Sequence, residues 1–192
     1  GKSLYVYGIN IAKLGDVRDM AFKNTNIISF DSEMPGRTDL YTPVVELEFT
    51  PGEGSMEVEA GYAPIEILLD GDKTEITGYE NNKDKLYTIK NLETENAINY
   101  TLTRRFGEEV AISKITMSLL NYTAGNIGLP TSIVVNINGI DYTAVNVTNK
   151  DGAVNDYVVE FDIAVVAEEF IIKVSHPAGS VKRNSWTEIA VE

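Results

Sequence analysis

Apolar and polar residues alternate with a period of two through most of the chain, and the runs stop at short clusters of glycine, asparagine, aspartate and proline. This is the pattern of half-buried strands separated by turns. Two runs read alike. Ile65, Ile67 and Leu69 alternate into Asp70-Gly71, and Ile133, Val135 and Ile137 alternate into Asn138-Gly139. Each predicts a strand entering a tight hairpin. A type I′ turn at Asn138-Gly139 pairs Ile137 with Ile140, Val135 with Tyr142 and Ile133 with Ala144, so that all six share one face. The opposite face carries Asn136, Asp141 and Thr143, with Val134 and Val145 as exceptions. The same construction at Asp70-Gly71 pairs Ile67 with Thr74 and Ile65 with Ile76. It also sets Glu66 against Glu75 on the wet side, a mildly unfavourable pair.

Further strands are predicted over residues 4–11, 26–30, 45–49, 56–60, 73–78, 86–89, 98–104, 112–120, 157–163, 169–175 and 186–191. One short helix is predicted within 13–23, where Leu14, Val17, Met20 and Ala21 have helical spacing. Residues 31–42, with Pro35-Gly36 inside, read as a long loop. Short strands at this spacing predict an all-β protein, an antiparallel β-sandwich or jelly roll. The runs flanking the two hairpin phrases also recur in order: 86–89 with 156–159, 98–102 with 170–174, and 112–117 with 186–191. That order predicts an internal duplication, hence two closely packed sandwich units over 1–108 and 109–192, with one elaborated jelly roll as the alternative. The joint falls at Phe106-Gly107-Glu108-Glu109, with no flexible linker.

The order Ile-x-Ile-x-Leu-Asp-Gly at 65–71, then Leu86-Tyr87-Thr88-Ile89-x-Asn91-Leu92, a strand at 98–102 and a closing strand at 112–117 resembles the latter part of a galactose-binding-like jelly roll. Residues 115–191, with Gly128-Leu129-Pro130 before the second hairpin and Trp186-Thr187-Glu188-Ile189 near the end, are similar to the C-terminal half of discoidin-type (coagulation factor 5/8 C) modules. The resemblance covers about two thirds of the chain. It implies a β-sandwich that binds carbohydrate or another cell-surface polymer, in an extracellular, cell-surface or virion setting. The chain departs from that family in lacking its cysteine pair and in the shortness of the second copy, and no set of ligand residues carries over.

Composition narrows the partners. With 43% hydrophobic residues in 192, the chain can bury a substantial core. Its 29 acidic and 16 basic residues give a formal charge of -13. That charge argues against nucleic acid or an anionic membrane as partner, and Arg104-Arg105 and Lys182-Arg183 are isolated pairs rather than a basic stripe. There is no cysteine, so disulfides and thiolate metal sites play no part. No apolar run approaches membrane-spanning length and no export signal is visible. The chain opens at Gly1, as a trimmed or mature form would.

Candidate chemistry is sparse. His176 is the sole histidine and is predicted in a turn before Pro177, which removes multi-histidine metal sites and leaves any nucleophile-base pair resting on one residue. No spacing singles out a catalytic carboxylate pair. Asp70-Gly71-Asp72 and Asn149-Lys150-Asp151-Gly152 look like fragments of calcium loops but read as turns. The expectation is a non-enzymatic protein without a cofactor, with a structural Ca²⁺ at Asp31 and Asp39 as the one metal candidate. Binding is expected from aromatic rings in loops, flanked by amide and charged side chains. The candidates are Arg37, Asp39 and Tyr41 in the long loop, Tyr62 and Tyr79 around the first hairpin, Tyr122 with Asn126, and Trp186. For Trp186, which starts the last predicted strand, a plug at the end of the sandwich is the leading reading. The competing functions are a structural component of a phage particle or bacterial surface assembly, in contact with identical neighbours, and an accessory domain of a larger carbohydrate-active enzyme.

Overall fold

The computed structural model describes residues 46–52, 56–72, 76, 78–92, 98–176 and 183–192. Residues 44–192 form one compact unit. The described residues carry nine strands: β1 Leu47–Pro51, β2 Met56–Val58, β3 Tyr87–Asn91, β4 Ile98–Asn121, β5 Ser132–Ile137, β6 Ile140–Thr143, β7 Val145–Asn146, β8 Ala153–His176 and β9 Arg183–Val191. They pair antiparallel in the order β2-β3-β9-β4-β8-β5-β6, with β1 added on β4 and β7 on β8. The all-β, antiparallel expectation holds.

Two long strands make this connected ladder a sandwich. β4 and β8 pair along their lengths, with register irregularities between Arg105 and Val110 and between Ile112 and Lys114. Bulges of this kind bend a strand pair. Trp186 is the ladder partner of Leu119, near the far end of β4, yet its indole N–H donates to the hydroxyl of Tyr100, near the start of the same strand, at 2.8 Å. A straight strand would separate those ends by about 60 Å, so β4 folds back and its halves lie in facing layers. The first layer is β1, the N-terminal half of β4, the C-terminal half of β8, β5 and β6. The second is β2, β3, β9, the remaining halves of β4 and β8, and β7.

The core fills the space between the layers. Tyr100, Leu102, Phe170, Ile172, Val174, Ile133, Val135 and Ile137 come from the first, and Tyr87, Ile89, Ile115, Met117, Leu119, Trp186 and Ile189 from the second. On β9 the register shifts beside Ser118 and Leu119, leaving Thr187 as the extra residue, so Trp186 and Ile189 both face inward despite their odd spacing. A smaller cluster of Ile76, Leu86, Leu120 and Ile127 holds the loops to the second layer.

The hairpin at Asn138-Gly139 has the predicted register. Ile137 pairs with Ile140 and Val135 with Tyr142, and Ala144 N–H donates to Ile133 C=O at 2.9 Å. Asn138 and Gly139 take φ of 52° and 84°, as a type I′ turn requires.

The first hairpin phrase is not a strand. Ile65–Leu69 is a 3-10 helix entered from Pro64, and Leu68, assigned to the wet face by alternation, is its fully buried residue. Proline's fixed φ suits a helix start, and three residues per turn align Ile65 with Leu68. Gly71, at φ 78°, follows the helix as a left-handed stop rather than a hairpin turn, and Asp70 Oδ1 accepts from Asp72 N–H at 2.8 Å. The predicted partner strand over 73–78 lies mainly outside the described residues, as do the predicted strands at 4–11 and 26–30, the helix within 13–23 and the loop at 31–42.

The expected division between 108 and 109 falls inside β4, which runs unbroken from Ile98 to Asn121. Two of the three pairs of runs read as copies are ladder neighbours: Leu102 pairs with Ile172, Tyr100 with Val174, Met117 with Ile189 and Ile115 with Val191. Adjacent strands over one core must alternate alike, which is why they looked like copies. His176, expected in a turn, ends β8 in the core at 3% exposure.

Candidate functional site

Three loops from distant parts of the sequence meet over the smaller cluster, and each brings a half-buried tyrosine: Tyr62, Tyr79 and Tyr122. The loop carrying Tyr62 is stitched down through Ala63, whose N–H lies 2.9 Å from Lys83 C=O and 3.0 Å from Leu86 C=O. Lys83 Nζ sits 5.4 Å from the centre of the Tyr62 ring, a cation over a π face. Tyr79 opens a turn in which Asn82 N–H donates to Tyr79 C=O at 3.1 Å and Asn82 Nδ2 to Gly78 C=O at 2.9 Å.

Tyr122 leads into a short 3-10 turn, Thr123–Gly125, closed by reciprocal bonds between Tyr122 and Ile127. Asn126 caps the turn in the left-handed conformation, at φ 60°, a position that asparagine tolerates. Asp151 pins the other side, accepting from Thr123 N–H at 3.1 Å and from Thr123 Oγ1 at 3.0 Å. Those bonds hold the Asp151 carboxyl below the ordinary range, the backbone N–H contributing most. The rings of Tyr79 and Tyr122 lie 5.8 Å apart, tilted by 59°.

The start of β9 supports the same region. Arg183 makes a two-pronged ion pair with Glu59, through Nε and through Nη2, the latter at 2.8 Å, and both groups are partly buried. The Arg183 hydrogen bond holds the Glu59 carboxyl down against the opposing effect of burial. Burial, then the Glu59 charge, pushes the Tyr62 phenol up. Arg183 C=O accepts from Gly128 N–H at 3.1 Å, and Asn184 Nδ2 donates to Gly128 C=O at 2.9 Å, so β9 carries the end of the Tyr122 loop.

Beside the tyrosines an open hollow of about 610 Å³ is lined by Tyr62, Pro64, Glu80, Asn81, Lys83 and Asp84. Its walls combine an aromatic ring, an amide and charges of both signs. That mixture can stack against an apolar face and hydrogen-bond around its edge.

Of the predicted binding residues, the structure brings together Tyr62, Tyr79, Tyr122 and Asn126. It separates Trp186, which is 0% exposed and bonded to Tyr100 in the core, so its ring has no free face for a ligand. Arg37, Asp39, Tyr41 and the metal candidate Asp31 lie outside the described residues. Among the described residues no three His, Asp or Glu side chains gather where they could hold a metal ion. No helix among them is long and apolar enough to cross a membrane. Sequence reasoning missed Lys83 and Glu59, ordinary surface charges until the loops meet, and read Asp151 as part of a turn without its bonds to Thr123. It also missed Gly125, against which both rings pack.

No protein-family model and no curated protein matches the chain. Among solved structures, it is similar to one described for the Streptococcus pneumoniae beta-galactosidase BgaA, with TM-score 0.50 and 11% identity over 82% of this chain and 95% of that one. It is also similar to the family 32 CBM of C. perfringens NanJ in complex with galactose, with TM-score 0.47 and 23% identity over 76% and 93%. A third is the lectin domain of lectinolysin complexed with Lewis B antigen, with TM-score 0.47 and 16% identity over 72% and 89%. What the chain shares with the BgaA structure is the fold, an all-β sandwich.

Proposed function

We propose that the protein is a non-catalytic binding or adhesion module that takes carbohydrate or another cell-surface polymer on the surface formed by Tyr62, Tyr79 and Tyr122. The observation that carries this reading is the convergence of three half-buried tyrosines, from three separate loops, beside a hollow lined by Asn81, Lys83, Glu80 and Asp84. Loop aromatics held on a rigid sandwich offer a flat face to a sugar ring at little entropic cost, and the surrounding polar groups read its hydroxyls. The fold shared with the BgaA structure and the galactose and Lewis B ligands of the other two similar structures are in keeping with it.

The BgaA similarity also favours a refinement, that the module is an accessory domain of a larger carbohydrate-active enzyme outside the cell or on its surface. A glycan array followed by calorimetry on the retained sugars tests the binding reading. The expected result is retention of at least one glycan, lost in Tyr79→Ala and Tyr122→Ala variants that melt cooperatively. Retention of no glycan, or retention that both variants preserve, overturns it.

A further inference from the structure

The outer face of the first layer carries a second feature, whose lining shares no residue with the hollow beside Tyr62. Register places Thr50, Thr101, Lys173, Val134 and Thr143 in one line across β1, β4, β8, β5 and β6. Asn99, Ser175 and Ser132 form the adjacent line. Their strand neighbours Tyr100, Leu102, Ile172, Val174, Ile133 and Val135 are buried in the core. The lines therefore face outward. All of their residues but Thr143 border a trough of about 390 Å³, which Asp141 and Pro51 also reach, within the size range of small-ligand sites.

The chemistry of this trough is specific in three respects. Thr50, Thr101, Ser132, Ser175 and Asn99 each both donate and accept hydrogen bonds, as sugar hydroxyls do. Its two charged side chains cancel: Lys173 Nζ donates to Asp141 Oδ1 at 2.8 Å, and Asn136 Nδ2 also donates to Asp141. Pro51, Val134 and the aliphatic stem of Lys173 supply apolar contact, and the one aromatic residue among the described residues of the lining, Tyr100, is buried at 2% exposure and offers no ring for stacking. A row of five strands extends about 19 Å, longer than one sugar ring.

We infer that this trough is a second binding surface, for a neutral, extended, polyhydroxylated chain that lies across the strands and is held by hydrogen bonds rather than by stacking. Neutrality follows from the internal Lys173–Asp141 pair and from the net charge of -13, which repels polyanions. The inference stands independently of the tyrosine site. Where both surfaces engage one polymer, the second contact becomes intramolecular and strengthens retention without any new chemistry.

The test is an amide NMR titration of the full chain. The ligands are neutral cello-, laminari- and galacto-oligosaccharides, from disaccharide to hexasaccharide, with hexagalacturonate as the charged counterpart. Signals of Asn99, Thr101, Lys173 and Ser175 should move with at least one neutral series, more tightly as the chain lengthens, and should not move with hexagalacturonate. Thr101→Trp, which fills the trough, should weaken this response at least about tenfold, equivalent to about 1.4 kcal/mol. Asn99→Ala, at an exposed position, should weaken it less and guards against a folding defect in the bulkier variant. Tyr79→Ala should leave it unchanged. Trough signals that stay still with every neutral oligosaccharide, that respond equally to hexagalacturonate, or that ignore Thr101→Trp overturn the inference. Movement only at the tyrosine loops overturns it while sparing the loop reading, and movement only in the trough does the reverse.

Discussion

Tyr79 and Tyr122 come from different loops, and both rings rest against Gly125. A Cβ at that position would lie 2.6 Å from Tyr79 Cε1 and 2.7 Å from Tyr122 Cδ1. Glycine here gives room for two rings to approach the backbone, so Gly125→Ala must part them. We expect a stability loss of about 1–2 kcal/mol together with loss of glycan retention. A melt and a calorimetric titration on the same sample check this, and unchanged affinity would remove the tyrosine pair from the site.

The Glu59–Arg183 pair is expected to matter more for stability. Glu59→Gln leaves a partly buried guanidinium without its countercharge, at a cost of about 1–2 kcal/mol at neutral pH once solvent screening is allowed for. Because the folded carboxyl is held below its ordinary value of 4.5, its contribution is complete above that pH and is lost as pH falls through the lowered value. Urea denaturation of both proteins should show a gap at pH 7 that narrows in acid. A constant gap would mean the ion pair is not its source.

His176 predicts a second, separate pH dependence. Burial holds its imidazole below the ordinary 6.5, while its bond to Asn184 pulls the other way. The folded state therefore binds the proton less readily than the unfolded chain. This contribution is complete above pH 6.5 and is lost as pH falls below it. His176→Gln should flatten the decline in stability just below pH 6.5 without altering the Glu59 step at lower pH. An identical slope in the variant would sink this assignment.

Tyr100→Phe isolates the buried network. Its hydroxyl accepts from Trp186 Nε1 at 2.8 Å and donates to Asn184 Oδ1 at 2.9 Å, so phenylalanine strands the buried indole N–H and leaves Asn184 Oδ1 with His176 Nε2 at 3.0 Å. The expected loss is about 1–3 kcal/mol, whereas Trp186→Ala should lose about 3–5 kcal/mol through the cavity it leaves. Equilibrium unfolding followed by intrinsic fluorescence measures the first and circular dichroism the second. Full stability in Tyr100→Phe would show that water replaces the hydroxyl.

Much of the fold was legible because alternation is a local record of which side chain meets the core. It placed β5 and β6 in register to the residue, and found most of the strands. The same property misled where a run was short: Ile65, Ile67 and Leu69 satisfy a strand pattern and, after Pro64, equally a 3-10 turn. It also made ladder neighbours look like repeats, since Leu102 and Ile172 answer to one core.

The sequence by itself determined an all-β, acidic, cysteine-free chain, the 138–139 hairpin, and tyrosines in loops as the binding candidates. Only the tertiary structure decided that β4 and β8 each serve both layers, that Trp186 belongs to the core, and that Tyr62, Tyr79 and Tyr122 share one surface. The reason is the range over which each is specified. Facing is set by neighbours two residues apart, whereas Glu59 meets Arg183 across 124 positions, because β3 pairs with β2 on one side and with β9 on the other.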